Sequence, residues 1–300
     1  MADQGETPYF SAGNVAPESA ETAARITEAA NALVKAAGGR LNPVELAAIA
    51  RTEFEEFVRR DVLPSLDALP ACRRGCAWCC YSGVRASIAE TVSVAVYLLT
   101  RKTAAAREEI RNRLDAYVAE ASGKTAEGRL TFRKPCPFLE RDECSVYPVR
   151  PLICAGYLSP TPEACERVAK DPDETTLYVQ GATDEAGFRS LVLAEMFRAF
   201  GAEAEAVDLA GAVKIILDDP TSFDRWRDGN RVFAETFVGK MTAETLQTEE
   251  DTRRLERALP ALLEELERRA GPEAAAATRE AWEKRKSWYP QRDSNPRSPP

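Results

Sequence analysis

The chain has 300 residues, 44% of them apolar, and a formal net charge of −8. That length buries a real core without help from metal, and the acidic balance argues against a general nucleic-acid or anionic-membrane binder, which would carry a basic face. There is no histidine, so Cys-His and Ser-His-Asp mechanisms are excluded within this chain and a metal has to be held by sulfur or carboxylate.

The N-terminal MADQGETPYF lacks the basic and apolar regions of a secretory signal. The longest strongly apolar stretch, Val92 to Leu99 interrupted by Ser93, is far too short to span a bilayer. The expected location is cytoplasmic, where thiols stay reduced, so eight cysteines need a reason other than disulfides.

Residues 1–15 read as disordered. From Glu18 to Ala37, Ile26, Ala30, Leu33 and Val34 fall on one helical face, and Gly38-Gly39 stops that helix. Asn42-Pro43-Val44-Glu45 is a start signal, with Asn as N-cap, Pro in the first turn and Glu able to reach back. Leu46, Ile49, Ala50, Phe57 and Val58 supply the stripe of that second helix, and Pro64 to Pro70 is a connector. Ser87-Ile88-Ala89-Glu90 is a capping box opening a helix to about Thr100; Val92, Val94 and Val96 also suit a strand, but the box decides for helix. Another helix covers about Thr103 to Ala121. Leu130 to Tyr157 is irregular, rich in Pro and Cys, with one short hairpin at most. Helices are then expected over Glu185–Phe200, Ala206–Leu217 and Asp251–Arg269, the last broken at Pro260, and over Glu273–Lys286.

The expected division is a disordered 1–15, N-terminal helices over 16–62, a cysteine-cluster metal-binding domain over 63–171, a C-terminal helical region over 172–286 and a disordered tail over 287–300. That tail, rich in Pro, Arg and Ser, fits nothing before it and suggests a translated non-coding extension. The fold class expected is mainly α: a helical protein with an irregular cysteine-rich metal-binding core.

All eight cysteines fall between positions 72 and 165. The first group is Cys72-Arg-Arg-Gly-Cys76-Ala-Trp-Cys79-Cys80; the second is Cys136, Cys144 and Cys154, with Cys165 beyond. Thiolates bind zinc and iron–sulfur iron. Short spacers let a tight turn, permitted by Gly75, aim several sulfurs at one point, and Arg73 and Arg74 offset their charge. Adjacent Cys79 and Cys80 are expected to point differently, so that both do not ligate one mononuclear ion. Cys72, Cys76 and Cys79 are the leading ligands; Cys136, Cys144 and Cys154 complete the site or form its neighbour; Cys80 and Cys165 have the least defined roles. An iron–sulfur cluster is favoured slightly over structural zinc, ahead of redox or disulfide switching and a scatter of buried thiols.

The CxxGCxxCC run, followed by CPFL, a further cysteine and a V-Y-P-x-R-P-x-x-C-x-x-Y segment, resembles the CxxCxxCC cysteine-cluster family, YkgJ-like proteins described as zinc- or iron-chelating. The matching positions are Cys72, Cys76, Cys79 and Cys80; Cys136, Pro137, Phe138 and Leu139; Cys144, Val146 and Tyr147; Arg150, Pro151, Cys154 and Tyr157. The first gap is three residues rather than two, as in some members. Ala155 stands where members usually carry a basic residue, which puts an anion-binding role of that position in doubt. The resemblance covers residues 72–165 and implies metal chelation with no general reaction attached. Some relatives, the flagellin lysine methylases, look like iron–sulfur enzymes using S-adenosylmethionine. Cys72-x3-Cys76-x-Trp78-Cys79 also has the radical S-adenosylmethionine spacing, although the βα barrel usual in such enzymes is not in this helical chain.

Glu140, Asp142 and Glu143 are candidate carboxylate ligands or acid/base groups, more simply a solvated loop. Arg150 braces the fold, bonds cluster sulfurs or grips an anion. Tyr147 and Tyr157 shield the site from water. Trp226, Trp282 and Trp288 are core or surface anchors, and Asp218-Asp219 is a helix end. Two other functions stand beside metal binding: an enzyme doing redox or methyl-transfer chemistry at the cluster, and a zinc-stapled module whose outer helices bind a partner protein. No nucleic-acid or membrane partner is expected.

Overall fold

A computed structural model of the chain describes residues 20–73, 75–171, 174–239 and 249–288. The expected disorder of residues 1–15, and of residues 289–300 in the tail, lies outside the described residues. The protein is mainly α. Among the described residues no helix is long and apolar enough to cross a membrane.

Helices α1 (Ala20–Ala36) and α2 (Pro43–Phe57) form where the apolar spacing places them. The Asn42 side chain accepts from the amides of Val44 at 3.0 Å and Glu45 at 3.2 Å, satisfying two of the donors that a helix start leaves open. Glu45 does not reach back; its carboxylate takes Arg40 instead. The last turns of α2 widen into a π-helical segment, Val58–Val62.

Helix α3 (Ile88–Arg101) starts on the Ser87–Glu90 capping box, with both reciprocal bonds made. Helix α4 (Ala104–Ala121) follows behind Thr103, and α5 (Ala126–Leu130) is one short turn. In the cysteine-rich region lie α6 (Leu152–Gly156) and α7 (Pro162–Lys170). Helix α8 (Gln180–Arg198) starts five residues before the expected Glu185. Its first turn is buried through Ala182 and Thr183, the latter donating to Gly156 O at 3.3 Å.

The helix expected from Ala206 is corrected. Ala206–Asp208 is a strand, and helix α9 (Leu209–Asp218) starts only after Asp208 caps it, its carboxylate accepting from Gly211 N at 2.9 Å. With β1 (Arg85–Ala86), β2 (Leu139–Glu140) and β3 (Glu143–Cys144) earlier in the chain, this strand is β4, and Phe237–Gly239 is β5. Strand β4 is central in an antiparallel sheet ordered β1-β4-β5, pairing Arg85 with Asp208 and Ala86 with Val207. Pairing with a distant segment outweighs the helical preference of alanine. The turn helix α10 (Ser222–Arg227) carries Trp226, buried with its indole N–H donating to Glu203 O at 3.0 Å.

One continuous core takes side chains from α1–α4, α6 and α8–α10. A second, smaller core joins Ala164 of α7 to helix α11 (Glu249–Ala270) through Leu259, Leu262 and Leu263, and to helix α12 (Pro272–Trp288) through Ala275 and Trp282. The expected break at Pro260 does not occur: α11 runs straight through it. Its leucine stripe, buried against α7 and α12, offsets the amide hydrogen bond that proline removes.

Candidate metal centre

Three stretches of backbone deliver the cysteines. The first is anchored by Ala71 N donating to Ser159 O at 2.9 Å. It reverses at Gly75, whose φ of +83° suits glycine, and closes in a tight turn over Trp78–Tyr81 that carries Cys79 and Cys80. The second joins the first directly, Cys136 N donating to Cys80 O at 2.7 Å. It continues into the β2–β3 hairpin, where Leu139 pairs with Cys144 and the tip residues Arg141 and Asp142 have φ of +50° and +62°. The third is α6, which carries Cys154. Its first amide, Leu152 N, donates to Glu90 Oε1 at 2.7 Å. A β-carbon at Gly156 would stand 2.7 Å from Ala186 Cβ and 2.9 Å from Ala182 O, so only glycine lets α6 seat this closely on α8.

These stretches enclose a cavity of about 960 Å³. Cys76, Cys79, Cys80, Cys136, Cys144 and Cys154 all line it. Cys79 and Cys80 both line this cavity, and the Cys79 thiol is hydrogen-bonded to Cys80. Cys72 and Cys165 do not line it. Cys72 Sγ sits 3.4 Å from Ser159 N, and Cys165 Sγ sits 3.7 Å from Thr176 Oγ1. The hydroxyls of Ser159, Thr161 and Thr176 bond one another between them. Cys72 does not line the cavity, but it lies close enough to Cys76 and Cys79 for their charges to raise its thiol.

All eight thiols are free. Burial pushes the Cys136 thiol up to about 12 and the Cys154 thiol well above its usual value. It also raises Cys72, Cys144 and Cys165. The bond to Cys80, then burial, raises Cys79. Arg150 is the cation acting against these shifts at Cys72, Cys79, Cys144 and Cys154. Its guanidinium lies 4.1 Å from the centre of the Tyr147 ring. The candidate carboxylates Glu140, Asp142 and Glu143 rim the same cavity on the hairpin, and Tyr157 lines it while packing 5.1 Å from Tyr178.

The donor set suits zinc or iron: soft sulfur, no imidazole, and a positive charge facing the thiols. Among the described residues no three Cys, Asp or Glu side chains stand close enough to form a metal site as they are. The six cavity thiols line this space, and thiols hold metal as thiolates, so a metal bound there would displace their protons.

Residues 71–173 match the model of the CxxCxxCC family, which carries the description "putative zinc- or iron-chelating domain". Over this segment the chain is similar to the CxxCxxCC domains. No curated protein and no solved structure matches the chain.

The CxxCxxCC-like segment relies on residues that its cysteine spacing does not announce. Glu90 holds α6 from the flank of α3. Val84 and Leu209, joined by Leu209 N donating to Val84 O at 3.0 Å, form an apolar wall of the cavity. The capping box is the one sequence signal that touches any of these. Ala155 is buried on α6, so the position where relatives carry a basic residue faces the core here.

Proposed function

We propose that the CxxCxxCC-like segment holds an iron–sulfur cluster through thiols drawn from Cys76, Cys79, Cys80, Cys136, Cys144 and Cys154. The observation that carries this reading is the gathering of these six free thiols, from three separate stretches of chain, around one cavity. The space far exceeds what one ion with sulfur bonds of about 2.3 Å fills, and all-thiol ligation is the rule for such clusters. Arg150 offsets the charge of thiolates as they form, and the aromatic rings of Tyr147 and Tyr157 limit the approach of water. When bound, a cluster supplies electron transfer or an open coordination position. Zinc is the second reading, favoured by the wording of the family description and by the suitability of four thiolates for a closed tetrahedral site.

The deciding experiment is anaerobic purification followed by counting iron, zinc and acid-labile sulfide per chain. A brown protein with iron and sulfide in comparable amounts and broad visible absorption is expected. A colourless protein with stoichiometric zinc selects the second reading, and a protein without either metal overturns both.

A further inference from the structure

Arg150 carries a feature that the thiols alone do not explain. Among the described residues its side chain makes no ion pair and no hydrogen bond, and Nε is buried without a partner. The guanidinium carbon lies 4.1 Å from the centre of the Tyr147 ring. Behind it, Arg51 shares a small polar pocket with Arg150, and burial, countered by Glu55 and reinforced by the charge of Arg150, depresses the Arg51 pKa. Two guanidiniums placed side by side, one without a counter-ion, are unfavourable unless an anion joins them. Glu140 and Asp142 border the same cavity, yet neither pairs with Arg150.

The cavity has room for a guest. Its volume of about 960 Å³ lies in the range of small-molecule sites, roughly 300–1,000 Å³, and Val84 and Leu209 give it an apolar wall. Glu140, Asp142 and Glu143 line the cavity together with Arg73, Lys102 and Arg141, and a carboxylate facing Arg150 is matched by a planar fork of donors.

We propose that the cysteine cavity is also the binding site of a small organic carboxylate, gripped by Arg150 over the Tyr147 ring with its apolar part toward Val84 and Leu209. This inference rests on the metal reading only in placing that guest beside the metal.

The test is calorimetric titration of the full chain, as purified and with its metal content counted, using benzoate, phenyl phosphate and benzyl alcohol. Benzoate is expected to bind with a millimolar or lower dissociation constant, and the other two about tenfold more weakly or worse. Compared at equal metal content, Arg150→Gln is expected to weaken benzoate by about tenfold or more, and Arg150→Lys to recover part of the loss. The proposal is overturned if benzoate does not bind, if benzyl alcohol or phenyl phosphate binds as well, or if Arg150→Gln leaves binding intact. Should Arg150→Gln fail to fold, the three-probe comparison on the unaltered protein decides alone. Missing metal refutes the proposed function while leaving the benzoate result to stand or fall separately.

Discussion

Glu90 accepts the backbone N–H of Leu152 at 2.7 Å across 62 positions of chain. Its other oxygen takes Ser87 N at 2.9 Å, Ser87 Oγ at 2.6 Å and Ser190 Oγ at 2.8 Å. One buried carboxylate therefore ties the start of α3, the start of α6 and the middle of α8 together, two residues away from Cys154. Glu90→Ala strands several buried donors, and a loss of about 3 kcal/mol or more is expected by urea unfolding. Metal content should fall with it, because α6 loses the acceptor that seats Cys154. An unchanged midpoint and full metal content would contradict this role.

Serine substitutions should sort the cysteines by place. Cys136→Ser, Cys144→Ser and Cys154→Ser remove thiols from the cavity wall and should each lower metal per chain. Cys72→Ser and Cys165→Ser change thiols beside Ser159 and Thr176 and should leave metal per chain unaltered while shifting thermal stability slightly. Elemental analysis of the five proteins side by side decides, and loss of metal from Cys72→Ser would place that thiol in the site after all.

Acid should loosen the C-terminal hairpin. Glu163 of α7 is bonded by Arg269 of α11, first through that hydrogen-bonded pair and then through Glu265, and its carboxyl is held at about 2 against a usual 4.5. A depressed carboxyl pKa contributes stability that is complete above the usual value and vanishes as pH falls through the folded one. The pair is largely exposed, so the effect is modest. Hydrogen-exchange protection of α11 and α12 amides should therefore drop between about pH 4.5 and about pH 2. Glu265, which burial raises, works in the opposite sense. Arg269→Gln isolates the Glu163 contribution and should shrink that acid step. An identical acid profile in the two proteins would mean that the pair contributes nothing.

Pro260→Ala should stabilise α11. Proline inside a helix costs about 3 kcal/mol, part of which is returned by its stiffening of the unfolded chain. A net gain of about 1–2 kcal/mol is expected, read as greater protection of the α11–α12 amides with no change at α3 or α8. A loss of stability would show that the proline shapes the hairpin.

Local signals in the sequence predict local structure well here. Asn42 and Ser87 cap the helices they precede, and Thr103 does the same at α4. The spacing of Ile26, Ala30, Leu33 and Val34 marks a face that is buried. Strand β4 is hidden because its reason is remote: Ala206–Asp208 extends to pair with Arg85–Ala86, more than a hundred positions earlier. The same limit governs the site. Spacing shows that the cysteines cluster, but the contact between Cys72 Sγ and Ser159 N comes from a residue that no motif marks. Pro260 misleads in the other direction, since a local breaking tendency yields to a leucine stripe whose partners, α7 and α12, lie outside its own helix.

The bond from Cys136 N to Cys80 O is made between main-chain atoms, so the two cysteine groups are stitched together whether or not sulfur has found a metal. A chelator should thus empty this protein without unravelling it, unlike small zinc domains whose folding and loading are one event.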